Sequence, residues 1–480
     1  MRDIIIHNGT VVTMDRDRTV YSDGAVAVSD SEIIAVGQTD DIDSAYDAER
    51  MIDAGGGVIL PGLINAHVHV PDILYRGLSD QRSLHDWLFN IKRPLVAAMD
   101  REDHELATAL YCRESLSAGV TTFVENAGGA GTGYASEIIE TKMNVYDKMG
   151  VRNIYVHCFL DSGSDEAMSE YTDIMLEREP AIDHATETLP ETEEALGTIE
   201  SLIQEYHETA DGRQRVWPGP FLAWGVSPDG LAGAYQLAEK YDVMTTTHTA
   251  ESQAQEYRLA SSVEYLESSG YLGERALLGH CVQLSEADIR LLARTGTKVA
   301  HNVVTNCSLG TGFAPVPTMR GYDVTVGLGT DNIDQNDTIN LISDMRFAAT
   351  VHRAERQDPT AVSADEALAM ATIEGARAIG CEDELGSLER GKTADILILD
   401  TDDPHMLPYG DPTSMIVFQA HGTEVSTVLC NGEVVFNDGL TEGSDLLPDS
   451  SEMVWKKRAS LLKRTGLAER YPGDWSLQLN

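Results

Sequence analysis

One run of residues points to the architecture of this chain, and it reads Val58-Ile59-Leu60-Pro61-Gly62-Leu63-Ile64-Asn65-Ala66-His67-Val68-His69. It is apolar, has the length of a strand, and ends on two histidines separated by one residue. Alternate side chains of a strand point to the same side, so both imidazoles face one way. By chance, 14 histidines in 480 residues give roughly 0.4 such pairs, so the pair gains its weight from its place at a strand end.

Seven more apolar runs of strand length follow, and stretches of helical period separate them. Glu102–Ala118 and Ala364–Ile379, for example, carry apolar residues at i, i+3 and i+4. Alternating strands and helices indicate a parallel sheet, and eight such units in about 320 residues predict an α/β protein with a (β/α)8 TIM barrel over 58–384. After Val58–Val70, the predicted strands are Thr121–Asn126, Asn153–Leu160, Phe221–Val226, Val243–His248, Ala276–Cys281, Lys298–Val303 and Thr325–Gly329.

Both ends of the chain contain short β-type runs separated by turns. Examples are Ile4-Ile5-Ile6 near the start and Ile396-Leu397-Ile398-Leu399 near the other end. Together they predict one small β-sandwich domain made of residues 1–57 and 385–445. Residues 446–480 are predicted to form a C-terminal helical tail, which is basic over 454–464 and docks either within the chain or at a subunit contact.

The charge balance is strongly acidic, with 78 Asp and Glu against 35 Lys and Arg and a net charge of −43. Such a field repels phosphate backbones and anionic bilayers, so neither nucleic acid nor a membrane is expected as a partner. The excess is spread along the chain, which favours a halophilic protein whose self-repulsion is screened at molar salt. The acidic segment 162–206 is expected to form surface helices at the barrel rim.

Cysteine usage and the N-terminus favour a cytoplasmic protein. The six cysteines lie far apart without CxxC spacing, as expected for reduced core thiols. The first apolar run is too short for a signal peptide, and no later run reaches the ~18 apolar residues of a membrane span.

Further histidine and acidic residues stand at the ends of other predicted strands. Active sites of TIM barrels lie at the C-terminal ends of the strands, so these residues should converge with the first histidine pair. They are His248, His280 and Asp331.

These motifs resemble the amidohydrolase superfamily, in particular its branch of S-adenosylhomocysteine/methylthioadenosine deaminases and triazine hydrolases. The resemblance covers nearly the whole chain. It implies a deaminase, a hydrolase of carbon–nitrogen bonds other than peptide bonds, that removes an amino group from a small N-heterocycle with activated water. A purine, pyrimidine, pterin, triazine or nucleoside-like substrate and a homodimer or homotetramer are implied. The motifs are Pro61–His69, His248–Glu251, Gly279–Cys281 and Leu328–Asp331.

The resemblance also implies a metal cofactor. His67, His69, His248 and Asp331 would hold one divalent ion, with zinc favoured over iron, and this ligand set suits either metal. Water on such an ion has its pKa lowered to about 7. A binuclear site in this superfamily adds a carboxylated lysine, and no lysine ends a predicted strand, which favours one ion.

Catalytic roles follow from the same resemblance. Glu251 would shuttle protons, His280 would polarise the attacked centre or hold the water, and Asp331 could both ligate and accept a proton.

Substrate contacts are expected from Trp87, His301 and Asn306. Each has a structural alternative: Trp87 could belong to a hydrophobic lid, His301 could be a core histidine, and Asn306 could serve a turn.

The chain departs from the pattern of adenosine-type deaminases in two places. Val226 stands where those enzymes carry a substrate-binding histidine, and His301–Asn306 replaces the usual His-Cys-Pro-x-Ser-Asn element. The substrate therefore stays open. A chlorohydrolase or a cyclic-amide hydrolase on the same scaffold is the nearest alternative, and a non-catalytic binding protein is the alternative from another class.

Overall fold

Strands from both ends of the chain form one mixed sheet. The computed structural model describes residues 3–128, 133–164, 189–253, 261–408, 410–448 and 450–469. Within these ranges nine strands are hydrogen-bonded into a single sheet. They are β1 (Asp3–Val12), β2 (Val20–Ser29), β3 (Glu32–Gln38), β4 (Arg50–Asp53), β5 (Val58–Pro61), β15 (Ile396–Leu399), β16 (Val425–Cys430), β17 (Glu433–Asn437) and β18 (Leu440–Thr441).

The predicted small β-domain is confirmed, built from a single sheet with its own apolar core. The N-terminal and C-terminal strands join where β5 pairs with both β1 and β15, through Ile59 opposite Val11 and Ile398. The sheet therefore extends past the predicted boundary at residue 57. Periodicity missed this because Pro61 and Gly62 divide one apolar run between two sheets.

The predicted barrel is confirmed by eight parallel strands in the described residues. A two-residue strand, β14 (Asp331–Asn332), follows the last of them and closes the barrel by pairing with the first. The barrel strands are β6 (Leu63–His69), β7 (Val120–Ala127), β8 (Arg152–Phe159), β9 (Gln214–Pro220), β10 (Thr245–Thr249), β11 (Ala276–His280), β12 (Lys298–His301) and β13 (Val326–Leu328).

The fourth barrel strand lies earlier than predicted. The sequence favours Phe221–Val226, whereas β9 ends at Pro220. The two prolines of β9 give that segment the character of a loop. The backbone N–H of Phe221 donates to Phe159 on β8, so by alternation Pro218 and Pro220 face β10, where the ladder needs no donor from them.

Helices alternate with the barrel strands, and within the described residues none is long and apolar enough to cross a bilayer. The short helices and turns that follow β6 matter most for the site, because they stand at the C-terminal end of the barrel. The helices are α1 (Thr39–Ala45), α2 (Leu84–Trp87), α3 (Arg93–Ala98), α4 (Arg101–Ser117), α5 (Ser136–Met149), α6 (Thr192–Tyr206), α7 (Pro228–Tyr241), α8 (Ser262–Ser268), α9 (Glu286–Thr295), α10 (Val303–Ser308), α11 (Val316–Gly321), α12 (Ile333–Asn336), α13 (Leu341–Arg356), α14 (Ala364–Met370), α15 (Ile373–Ala378), α16 (Pro412–Phe418) and α17 (Ser451–Arg464).

The basic C-terminal helix α17 docks within the chain, which is one of the two predicted options. Arg464 Nη1 lies 2.8 Å from Asp100 Oδ2 at the start of α4, and Lys457 pairs with Glu102 on the same helix. Opposite charges therefore hold the tail against the barrel.

Of the acidic segment 162–206, the structure describes 162–164 and 189–206, which include α6. The rest of that prediction lies outside the described residues.

Candidate metal centre

Five predicted side chains meet at the C-terminal mouth of the barrel. His67 and His69 come from β6, His248 from β10, His280 from β11 and Asp331 from β14. Asp331 Oδ1 lies 3.3 Å from Nε2 of His67 and 3.5 Å from Nε2 of His69. Nε2 of His69 lies 3.2 Å from Nε2 of His248. The predicted convergence is therefore observed.

Backbone carbonyls fix which ring nitrogen faces the centre. Nδ1 of His69 lies 2.9 Å from the Asn126 carbonyl, and Nδ1 of His248 lies 2.6 Å from the Phe221 carbonyl. A carbonyl can only accept, so each Nδ1 carries the proton and each Nε2 lone pair points inward. The Asn126 carboxamide lies 2.9 Å from Nδ1 of His67. Turned with its oxygen toward the ring, that amide accepts from Nδ1–H in the same way.

The donor set fits one divalent cation. Within the described residues, Nε2 of His67 and both carboxylate oxygens of Asp331 are buried without a hydrogen-bond partner. Buried polar atoms are nearly always satisfied, so inward-facing acceptors need a positive partner. Burial lowers the pKa of His67 and of His248 to about 3, which keeps both rings neutral as metal ligation requires.

Glu251 and His280 lie directly beside these donors. His280 Nδ1 is 3.6 Å from Glu251 Oε1 and 3.9 Å from Asp331 Oδ2. Burial, and next the charge of Asp331, raises the pKa of Glu251 well above its usual range. A carboxyl that holds a proton next to ligand atoms is suited to proton transfer.

Backbone strain marks the strand ends that carry the site. His280 and Asp331 adopt φ values of 71° and 58°, and Ala250, between His248 and Glu251, adopts 51°. Residues with a Cβ rarely occupy this left-handed region, and such strain concentrates at functional sites.

A small cavity opens beside the cluster, and Trp87, which is predicted as a substrate contact, is one of the residues that line it. Its volume is about 40 Å³. The lining residues are His69, Leu84, Trp87, Leu88, Lys92, Phe221, Leu222, His248, Glu251, His280 and Asn332.

Two other predicted substrate residues lie elsewhere. His301 is fully buried, and its Nε2 lies 3.0 Å from Nε2 of His352 on α13. Alternation along β12 turns Asn302 toward His280 and His301 away from it, so His301 does not line the cavity. Asn306 lies against His280, with its amide nitrogen 3.0 Å from Nδ1. It positions that ring and does not line the cavity.

Several residues of the site carried little or no signal in the sequence. Asn126 ends a predicted strand, and a polar residue at that place was the available clue. Lys92 gave none, because it follows α2 on a π-helical turn, Leu88–Lys92. Its Nζ lies 3.0 Å from Asp72 Oδ2 and 2.7 Å from Asn332 Oδ1.

Comparison with known proteins settles the family. The model of the amidohydrolase family matches residues 58–435. The chain belongs to the amidohydrolase family. Its match covers the whole barrel and reaches into the C-terminal strands of the small sheet.

Amidohydrolases similar to the chain act on two kinds of substrate. A 5-methylthioadenosine/S-adenosylhomocysteine deaminase of Syntrophobacter fumaroxidans is 32% identical over 441 residues, 91% of this chain and 93% of that protein. An S-triazine hydrolase of Gordonia rubripertincta is 38% identical over 327 residues, 66% of this chain and 67% of its own length. These relatives confirm the predicted deaminase class, a hydrolase of carbon–nitrogen bonds other than peptide bonds.

A solved amidohydrolase structure shares the whole architecture. The atrazine chlorohydrolase of Arthrobacter aurescens, complexed with zinc, superposes with a TM-score of 0.81 at 25% identity. The superposition covers 96% of this chain and all of that one. It confirms the predicted fold of barrel and small β-domain.

Proposed function

We propose that this amidohydrolase removes an amino group from an electron-poor N-heterocycle and releases ammonia. The observation that carries the proposal is the convergence of His67, His69, His248 and Asp331 with their lone pairs directed inward. Glu251 and His280 flank this cluster and supply groups that can transfer protons. The same residues serve no evident purpose in a protein that only binds a partner.

The four inward-facing residues would hold one divalent ion, and we propose zinc rather than iron. Three imidazoles and one carboxylate with an open position are typical of a catalytic site. Zinc in the similar chlorohydrolase structure supports the choice. When bound, the ion lowers the pKa of a water to about 7, which supplies a nucleophile at neutral pH.

Glu251 is proposed as the proton shuttle. It accepts the proton of the attacking water and passes it to the ring nitrogen beside the attacked carbon. It then takes the remaining hydroxyl proton of the tetrahedral adduct and delivers it to the departing amine, so that the carbon–nitrogen bond breaks and the ring carbonyl forms. Its raised pKa suits the donating steps. His280 lies close enough to Glu251 and Asp331 to orient the attacked centre, and Asn306 holds its ring in place.

The ring of the substrate is proposed to stack on Trp87, which lines the cavity. The names of the relatives point to adenosine-like nucleosides and to s-triazines, and Val226 disfavours the adenosine type. A chlorohydrolase is the second candidate, because the chlorohydrolase match spans nearly the whole chain. The two reactions differ in the leaving group and not in the ligand set.

A release assay across aminated and chlorinated purines, pyrimidines, pterins and triazines, run at high salt, tests the proposal. We expect ammonia release, and chloride release in its place would favour the second candidate. Glu251→Gln should keep the metal content and lower ammonia release by at least ~10²-fold. Glu264→Gln, an exposed change on α8, serves as the matched control. Full activity of Glu251→Gln, or no release from any compound, would overturn the proposal.

We also propose a homo-oligomer, a dimer or a tetramer, in a salt-rich cytoplasm. The composition supports the salt-rich setting, because the charge of −43 is spread along the chain. Light scattering coupled to size exclusion in molar KCl tests the assembly, and a monomer would contradict it.

A further inference from the structure

A buried lysine shares the cavity with the metal ligands. Lys92 is 3% exposed, and it lines the same cavity as Trp87, His248 and Glu251. It lies at the end of the π-helical turn Leu88–Lys92. π-Helical turns are rare in proteins overall, and those that occur are often found at functional sites. A buried lysine is costly unless polar or charged partners compensate for the water that its ammonium group has lost.

Two of the three N–H donors of the ammonium group are used by the protein. Nζ lies 3.0 Å from Asp72 Oδ2 and 2.7 Å from Asn332 Oδ1, and it stands 5.0 Å from the centroid of the Trp87 ring. Among the described residues these two oxygens are its only acceptors within hydrogen-bond distance. An ammonium group carries three donors and no acceptor, so one N–H is left over.

The positive charge of Lys92 acts on the centre itself. After burial, it is the next largest cause that lowers the pKa of His67 and of His69. It also lowers the pKa of Glu251, against the larger effects of burial and Asp331. The charge of the ammonium group therefore contributes to the electrostatic potential at the site, and it also acts on a ligand in the cavity.

We propose that the third donor of Lys92 binds an oxygen on the ring of the substrate, so that the enzyme prefers aminated heterocycles that carry a ring carbonyl or oxyanion. This inference rests on the proposed function and names its substrate class. Asp72 and Asn332 hold Nζ in place, and Trp87 supplies the stacking face. A site built to donate to a ring oxygen discriminates against an analogue that lacks it, because the donor is then left unpaired.

Paired substrates that differ at one ring position test the preference. The pairs are cytosine and 4-aminopyrimidine, isoguanine and adenine, and ammeline and 2,4-diamino-1,3,5-triazine. For the wild-type enzyme, kcat/KM for ammonia release should be roughly 10- to 100-fold higher for the oxygen-bearing member of at least one pair. Equal or higher values for the oxygen-free members would overturn the inference while leaving the proposed function standing. Absence of ammonia release from all six compounds, with the wider screen also negative, would count against the proposed function itself.

Substitution then links the preference to this lysine. Lys92→Met should reduce the preference to within ~3-fold, mainly through KM of the oxygen-bearing member, and keep the metal content. Because Asp72 would then be buried without its cation, the double variant Lys92→Met with Asp72→Asn provides a second test with no unpaired charge. If kcat/KM fell equally for both members of a pair in the single and in the double variant, the role of Lys92 would be purely structural, and the inference would be overturned.

Lys142→Met is the matched control. Lys142 is also fully buried, and its Nζ lies 2.7 Å from Glu125 Oε1 between β7 and α5, away from the cavity. The substitution creates the same kind of unpaired buried carboxylate, and we expect the substrate preference to stay at the wild-type ratio. A loss of preference in this control as well would contradict a specific role for Lys92.

Discussion

His69 and His248 face each other across the barrel mouth with their Nε2 atoms 3.2 Å apart. Each ring donates from Nδ1 to a carbonyl, so two lone pairs meet at this distance. Burial lowers the pKa of both rings, which disfavours a shared proton. A cation bound between the two rings would accept both Nε2 lone pairs. The hydrogen bonds of the protein therefore preorganise the two histidines for metal binding.

The side chain of Asn126 should tune metal affinity without being a ligand. Its carboxamide contacts Nδ1 of His67, and partners that orient a ligating ring are commonly worth 10- to 100-fold in affinity. Asn126→Ala is expected to weaken zinc binding by about that factor in a competition titration with a chelator. Asn153→Ala removes another buried strand asparagine, one that contacts Met143. An equal loss of affinity in that control would contradict the role of Asn126.

His301 should matter for stability and not for substrate binding. His301→Gln is expected to leave KM within about 3-fold of wild type, because the ring contacts His352 outside the cavity. Its loss leaves a buried partner unsatisfied, which should lower the free energy of unfolding by roughly 1–3 kcal/mol. Denaturant titration and substrate kinetics on the same preparation measure both quantities. A large rise in KM at unchanged stability would reinstate the substrate contact.

The parts of the site that sequence could predict are those at strand ends. His67, His248 and Asp331 end apolar runs, and the geometry of a barrel brings strand ends together whatever the loops do. Lys92 and Asp72 could not be found this way, because they lie in helical turns after β6 whose path depends on packing. The place of His301 was open for a related reason, since neighbouring residues of a strand face opposite sides and the sequence does not say which side faces the cavity.

The fold also divides into features that the sequence predicts and features that depend on packing. The barrel followed from the spacing of apolar runs, whereas the misplaced fourth strand traces to Pro218 and Pro220. Strand propensity treats proline as a terminator, and only the pairing pattern reveals that both nitrogens face an open part of the ladder.

Acid should destabilise the protein through His157, among other groups. This ring is 6% exposed on β8, and burial lowers its pKa from 6.5 to about 4. The unfolded chain binds the proton at higher pH than the folded one. The contribution of neutral His157 to the free energy of unfolding is therefore fully present above about pH 6.5 and is lost as the pH falls toward 4. The contribution is about 3 kcal/mol. Free energies of unfolding at several pH values should show a shallower slope for His157→Gln, and identical slopes would rule this contribution out.

Salt should stabilise the fold strongly. A net charge of −43 repels itself in dilute buffer, and at 1 M salt the Debye length is about 3 Å. We expect the midpoint of thermal unfolding to rise between low and molar KCl. The docking pairs of α17, such as Arg464 with Asp100, act in the opposite sense but are individually weak. Equal midpoints would argue against a salt-adapted surface.

X-ray absorption at the zinc edge, on purified protein loaded with zinc, tests the metal centre most directly. The predicted result is about one ion per chain, with three imidazole nitrogens at about 2.0–2.1 Å, additional oxygen and no sulfur. The double variant His248→Ala with Asp331→Ala should lose this signal. Sulfur at about 2.3 Å, or an unchanged spectrum and zinc content in the double variant, would contradict it.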